Sequence, residues 1–179
     1  MVQLSLHYFA YGSNLHPRRL QHRVASARPA GIARLADYRL AFHKRGADGS
    51  GKGNIVPAPG AEVWGAVYTL SAAHARRLDR IEGPGYAQIE LTVQPPGQEA
   101  PLRVLSYHAR AGAVDEHLAP FDWYLEFVLQ GAAHHGLPAP YLAQLHAVAS
   151  AVDADTQRAQ RERSLLGAVP TRGEGPTCG

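Results

Sequence analysis

Apolar and polar positions near the start of the chain predict a strand, a polar turn and a helix. Residues 4–10 alternate loosely and include tyrosine and phenylalanine, which is typical of a strand. The residues that follow, Gly12, Ser13 and Asn14, tolerate turn and left-handed conformations. Pro17 then predicts the first turn of a short helix that runs to Arg23.

The middle of the chain predicts further strands. Residues 31–44 indicate two strand segments around Asp37, and the glycine-rich segment RGADGSGKGN predicts a flexible loop after them. Residues 61–70 form the clearest strand pattern, because their branched and aromatic side chains suit a largely buried pleated surface. Ser71 predicts the N-cap of a helix that Gly83 ends.

The remaining pattern completes an α+β fold. Residues 86–97 and 101–110 are rich in strand-forming residues, and the turn Pro-Pro-Gly between them predicts a hairpin. Residues 121–138 and 138–152 predict two helices that are interrupted over residues 136–140. We therefore expect a mixed, mostly antiparallel, β-barrel-like sheet with flanking helices in one domain, residues 1–163. Residues 164–179 have little to bury and predict a disordered C-terminal tail.

Composition and charge exclude several classes of protein. No apolar run among the 179 residues approaches the ~18 that a membrane span needs, and the first ten residues lack the pattern of a secretory signal. Cys178 is the single cysteine, which excludes an internal disulfide and a thiolate cluster and favours a reducing cytoplasm. The net charge of +3 comes from arginines spread among acids, so we expect a solvated surface and no nucleic-acid partner.

Three kinds of reactive site are disfavoured by spacing. The ten histidines form no H-E-x-x-H or comparable set, so we expect no metal. Lys52 is followed by Gly53, which does not match a phosphate-binding loop. YGSNL is not the G-x-S-x-G motif of hydrolases, so a turn-forming role explains Ser13 better than a nucleophilic one.

Glu82 remains as the candidate for acid/base chemistry. It ends an amphipathic helix and is followed by Gly-Pro-Gly, which can aim a side chain into a cleft beside the sheet. Such a glutamate on its own is more often a surface residue. Together with a turn at residues 12–14 that can offer backbone N–H groups to a ligand, it becomes a candidate general base.

Four segments of the chain, taken in order, resemble the gamma-glutamylcyclotransferase family, which has the AIG2-like cyclotransferase fold. They are YFAYGSNL, EVWGAVYTL, LDRIEG with a tyrosine shortly after it, and GAAHHGLPAPYLAQL. The likeness spans about residues 6–152. It implies a mixed β-barrel with flanking helices, a small gamma-glutamyl substrate and no cofactor.

The resemblance also implies the residues of the site. Glu82 corresponds to the family's acid/base residue, and Tyr86 and Tyr124 correspond to tyrosines near the substrate. The segment that lines the substrate cavity consists of Tyr8, Phe9, Ala10, Tyr11, Gly12, Ser13, Asn14 and Leu15.

The implied reaction suits these residues. The α-amine of a gamma-glutamyl amide attacks its own γ-carbonyl and releases 5-oxoproline and an amine, with no water consumed. An α-amino group has a reference pKa of about 8, so a base must first accept its proton, and Glu82 is placed to do so. Backbone N–H groups of residues 12–14 suit the substrate carboxylate or the developing oxyanion.

Two functions remain open at this point. One is a cyclotransferase that acts on a gamma-glutamyl amino acid, a gamma-glutamylamine or another small conjugate. The other is a catalytically idle binding or interaction module on the same scaffold. The presence of Glu82 favours the enzyme, and the sequence leaves the oligomeric state open.

Overall fold

Five strands form one sheet in the computed structural model, which describes residues 5–167. The strands are β1 (Ser5–Ala10), β2 (Arg28–Arg45), β3 (Gly51–Ser71), β4 (Tyr86–Val93) and β5 (Leu102–Ala109). Their order across the sheet is β2-β3-β1-β5-β4, and every neighbouring pair is antiparallel except β1 and β5. The expected α+β class with a mixed, mostly antiparallel sheet is confirmed, although this sheet is not a closed barrel.

A register shift near Asp37 interrupts the pairing of the long β2–β3 hairpin. Asp37 has a φ of 61°, and its Oδ1 accepts a hydrogen bond of 2.9 Å from the backbone N–H of Gly60. The shift lies between Ala36 and Tyr38, and the strand continues through it. The prediction of two strand segments was therefore wrong in number, because an irregularity shifts the register of one strand without ending it.

The glycine-rich segment forms a shorter loop than the sequence predicts. Residues 46–50 form the turn of the hairpin, and β3 already begins at Gly51. The N–H of Gly51 donates to the carbonyl of Ala119 over 2.8 Å, which ties the tip of the hairpin to the segment before the third helix. Pairing across the hairpin thus orders a segment whose glycine content predicted a flexible loop.

Five α-helices lie within residues 5–167, and not all of them were predicted from the sequence. They are α1 (Pro17–Arg23), α2 (Ala72–Glu82), α3 (Asp122–His135), α4 (Ala139–His146) and α5 (Thr156–Ser164). The predicted α1 is confirmed, as are the cap of α2, where Ser71 Oγ accepts from the N–H of His74, and its end at Gly83, whose φ is 74°. No helix within residues 5–167 is long and apolar enough to cross a membrane.

The C-terminal region differs most from the prediction. The helix expected over residues 138–152 ends at His146, and α5 was not predicted. Asp155 caps α5 by accepting from the N–H of Arg158 over 2.9 Å. Most of the predicted tail, including Cys178, lies outside the described residues.

Helix α3 packs closely on the turn that follows β1. A Cβ added to Gly131 would lie 2.5 Å from the backbone nitrogen of His16, a distance that side chains do not tolerate. Leu15 and Phe127 are fully buried at this contact. Because Gly131 has no side chain, the helix can press directly against the backbone of the turn and fix its position.

Candidate active site

A cavity of about 730 Å³ opens beside the 3₁₀ turn Ser13–Leu15 that follows β1. This volume lies in the range of small-molecule sites, roughly 300–1,000 Å³. The turn, the end of α2, the tip of the β2–β3 hairpin and the start of α3 contribute to its wall. Among the residues implied by the sequence, those that line the cavity are Tyr8, Tyr11, Gly12, Ser13, Asn14, Glu82, Tyr86 and Tyr124.

Three of the implied residues lie elsewhere. Phe9, Ala10 and Leu15 are fully buried in the core and do not line the cavity. They lie between or next to residues of the same segment that line the cavity, and their packing in the core fixes the backbone of the strand and the turn. The motif therefore combines side chains of the core with groups that face the cavity.

Glu82, the last residue of α2, projects its carboxylate into the cavity. Its Oε1 accepts a hydrogen bond of 3.0 Å from the side-chain amide of Asn14 and one of 3.4 Å from Arg23. Only 14% of the side chain is exposed. No side chain within residues 5–167 donates to Oε2, so that oxygen is available to a ligand.

Asn14 connects three other side chains at the floor of the cavity. In addition to its bond to Glu82, its amide nitrogen donates to the hydroxyl of Tyr8 over 2.9 Å, and its Oδ1 accepts from Arg23 over 2.9 Å. Both hydrogens and the oxygen of the amide are thus used. This network fixes the orientation of the Glu82 carboxylate.

Tyr8, Tyr86 and Tyr124 are among the tyrosines that line the same cavity. The Tyr86 hydroxyl donates to the carbonyl of Gly53 over 2.5 Å, and the Tyr124 hydroxyl accepts from the N–H of Gly53 over 3.0 Å. Burial, reinforced by the nearby Glu82 carboxylate, raises the pKa of Tyr8, and burial raises the pKa of Tyr86 as well. Tyr8 and Tyr86 are consequently neutral at physiological pH.

Two residues at the start of the 3₁₀ turn, Ser13 and Asn14, line the cavity and carry backbone N–H groups. The first N–H groups of a helical turn have no partner within the turn, and those of Ser13 and Asn14 donate to no other described residue. Gly12 lies against the Tyr124 hydroxyl: a Cβ at position 12 would be 3.2 Å from that oxygen. The turn therefore offers two donors to a ligand in a tightly packed setting.

Two arginines of α1 that line the cavity were not predicted from the sequence. Arg19 donates from Nε to the hydroxyl of Ser13 over 3.1 Å and pairs with Glu162 of α5 over 2.7 Å. Arg23 lies one turn further on the same face and holds both Asn14 and Glu82. The four-residue spacing of the two arginines directly after the polar turn is the sequence signal from which a shared role could have been inferred.

Two lysines beside the tip of the β2–β3 hairpin were likewise not predicted as part of the cavity. Lys44 and Lys52 line the cavity from segments on either side of the turn. The Lys52 ammonium pairs with Asp48 over 2.6 Å and lies 4.7 Å from the ring centroids of Trp123 and Tyr124. Nothing in their spacing along the sequence connects these lysines with the YGSNL motif near the N-terminus.

Comparisons with known proteins agree on one family. Residues 62–145 match the AIG2-like family. The chain is 35% identical over 150 residues to a gamma-glutamylcyclotransferase from Bos taurus, covering 79% of this chain and 77% of the relative. It is 33% identical over 153 residues to one from Homo sapiens, with the same coverage. A solved gamma-glutamyl cyclotransferase superimposes with a TM-score of 0.77 at 27% identity, covering 88% of this chain and 99% of that one.

Proposed function

The chain belongs to the gamma-glutamylcyclotransferase family, and on that premise we propose that it converts a small gamma-glutamyl amide into 5-oxoproline and a free amino acid or amine. One observation carries the proposal. The Glu82 carboxylate is held through Oε1 by Asn14 and Arg23, while Oε2 is left to the cavity beside a turn with two N–H donors. This is the arrangement that an acid/base residue acting on a small amide needs.

Glu82 starts the reaction by accepting a proton from the substrate. The α-ammonium group of the gamma-glutamyl half must lose a proton before its nitrogen can attack. Oε2 takes that proton, and the freed amine attacks the γ-carbonyl to close a five-membered ring. Asn14 and Arg23 keep the carboxylate oriented, because both donate to the other oxygen.

The turn and a tyrosine stabilise the charge that develops on the carbonyl oxygen. The N–H groups of Ser13 and Asn14 are preorganised donors, each worth about 3 kcal/mol if it acts on the transition state. The Tyr124 oxygen already accepts from Gly53, so its own hydrogen remains for the substrate. These donors bind the oxyanion more strongly than the carbonyl from which it forms.

Breakdown of the intermediate returns Glu82 to its starting state. The protonated carboxyl donates to the leaving nitrogen, and the bond between that nitrogen and the carbonyl carbon breaks. Two protons pass in turn from the ring nitrogen to the leaving nitrogen, with Glu82 as the carrier. The amine leaves, 5-oxoproline remains, and no water is consumed.

The test is an assay of product with a panel of compounds. Purified protein is incubated with a gamma-glutamyl amino acid, a gamma-glutamylamine and glutathione, and 5-oxoproline is followed over time. We expect 5-oxoproline from at least one of them. Saturable binding without any 5-oxoproline would identify the second candidate, an idle binding module. A cytoplasmic location stays a prediction.

A further inference from the structure

Basic side chains outnumber acidic ones in the wall of the cavity. The basic residues of the wall are Arg19, Arg23, Lys44, Arg45, Lys52 and Arg158. Within the described part of the chain, every one of them except Lys44 forms an ion pair with a carboxylate. The three acidic side chains of the wall are all engaged in these pairs. The surplus positive charge of the cavity is therefore concentrated at Lys44.

Lys44 lies against the segment that follows Glu82. Its ammonium is 4.7 Å from the centroid of the Tyr86 ring. A Cβ at Gly85 would lie 2.7 Å from Lys44 Cε and 3.1 Å from Nζ. The absence of a side chain at position 85 thus leaves the space that the lysine occupies.

The ammonium of Lys44 is partly withdrawn from water without a counterion in contact. Burial lowers the pKa of Lys44, and the more distant carboxylates of Glu82 and Asp48 oppose that effect. A partly buried cation that lacks an ion pair is costly, and a ligand carboxylate at this place would offset the cost. The cation–π contact with Tyr86 compensates only in part, since such contacts are worth about 0.5–2 kcal/mol.

Building on the proposed function, we propose that Lys44 binds a carboxylate on the leaving half of the substrate and is the residue that selects for it. The preferred leaving group is then an amino acid or a peptide and not a simple amine. The gamma-glutamyl half has its own donors, the N–H groups of Ser13 and Asn14, two residues that are almost completely buried. Lys44, in contrast, lies against Gly85 and Tyr86 in the segment that follows Glu82, and both of these residues are only partly buried.

The experiment compares two substrates that differ only in this carboxylate. We expect wild-type protein to show a kcat/KM for gamma-glutamyl-alanine about 10- to 100-fold higher than for gamma-glutamyl-alaninamide, the range for a hydrogen bond to a charged group. Lys44→Met removes most of this preference. Lys44→Arg retains most of it, because the charge and the reach are kept.

Two further variants separate a specific contact from a general effect. Arg45→Gln removes a neighbouring charge of the same cavity wall and leaves the preference as in wild type, because Arg45 pairs with Asp115 over 3.6 Å. Gly85→Ala keeps Lys44 but places a methyl group 2.7 Å from its Cε, so the lysine must move and this variant also loses preference.

Two results would overturn the assignment of Lys44. One is a preference that survives in Lys44→Met. The other is an equal loss of kcat/KM for both substrates, which would indicate contact with the gamma-glutamyl half or a structural role. If wild-type protein forms no 5-oxoproline from either compound, the proposed reaction fails. The ratio of the two dissociation constants, measured by calorimetry in wild type and Lys44→Met, then tests the carboxylate contact without turnover.

Discussion

The side-chain amide of Asn14 donates a 3.0 Å hydrogen bond to Oε1 of Glu82 and thereby joins the turn after β1 to the end of α2. The two residues are 68 positions apart in the chain. Because Arg23 donates to the same carboxylate oxygen and to Oδ1 of Asn14, the three side chains form a closed network. Four predictions concern this network and the cavity around it, and a fifth concerns the turn that carries it.

Glu82→Gln is expected to lower kcat by at least ~100-fold, the scale of lost general acid/base catalysis. The amide is nearly isosteric, so the far-UV circular dichroism and the midpoint of thermal unfolding should stay close to wild type. Glu62→Gln and Glu90→Gln are matched controls, since both carboxylates lie on strands away from this cavity and pair with arginines. A folded Glu82→Gln protein with near-normal turnover would refute the mechanism.

Asn14→Leu is expected to lower kcat about 10- to 100-fold while Glu82 remains in place. The variant keeps approximately the volume of the side chain but removes the bonds to Glu82, Tyr8 and Arg23. Leaving these groups without a partner should also reduce the free energy of unfolding by about 1–3 kcal/mol. Steady-state kinetics and urea unfolding measure the two effects. Unchanged kcat in a destabilised variant would show that Asn14 acts only on stability.

Gly12→Ala is expected to lower kcat/KM about 10-fold or more, and Ser13→Ala much less. The new methyl group at position 12 would lie 3.2 Å from the Tyr124 hydroxyl and push it from its place, whereas Ser13 Oγ only accepts from Arg19. Loss of all activity in Ser13→Ala, together with an acyl-enzyme trapped on that serine, would instead identify a serine hydrolase.

A substrate with an acetylated α-amine is expected to bind weakly and not to turn over. Acetylation removes the nucleophile of the cyclisation, while the γ-amide bond itself stays intact. The measurement follows release of the amine and formation of glutamate and 5-oxoproline, with the free α-amine compound as the control. Efficient cleavage of the acetylated compound, or glutamate as the main product of the control, would show that water attacks the amide.

His16 is expected to make the fold less stable at acidic pH. The ring of His16 is completely buried. Burial, with lesser effects of His134 and Arg18, lowers the pKa of His16 from 6.5 to about 4. The unfolded chain therefore binds the proton first as the pH falls, and stability decreases from about pH 6.5 down to pH 4.

The measurement is urea unfolding at pH 7 and pH 5. Between these values, the free energy of unfolding of wild type should fall by an amount on the order of 2 kcal/mol more than that of His16→Leu. Equal decreases in the two proteins would show that His16 does not contribute to the pH dependence.

Local patterns were sufficient wherever neighbouring residues decide the structure. Pro17 begins α1, Ser71 caps α2 and Gly83 ends it, as their positions predicted. These preferences depend on bonds within a few residues, so they can be read without the fold. Helix α5 was missed because it buries little apolar surface, and its ion pair between Arg163 and Glu126 of α3 depends on tertiary contact.

For the site, the sequence by itself determined the family and pointed to Glu82 and the turn, because these lie in contiguous motifs. Tertiary structure alone decided which groups meet the carboxylate. Arg23 contacts Glu82 although 59 residues separate them in the chain. Lys44 lies in the cavity wall because β2 and β3 pair as a hairpin, with a register shift beside Asp37 that no periodic pattern specifies. Such contacts arise from the packing of separate elements, and the energy that selects them comes from burial and charge pairing in the assembled fold.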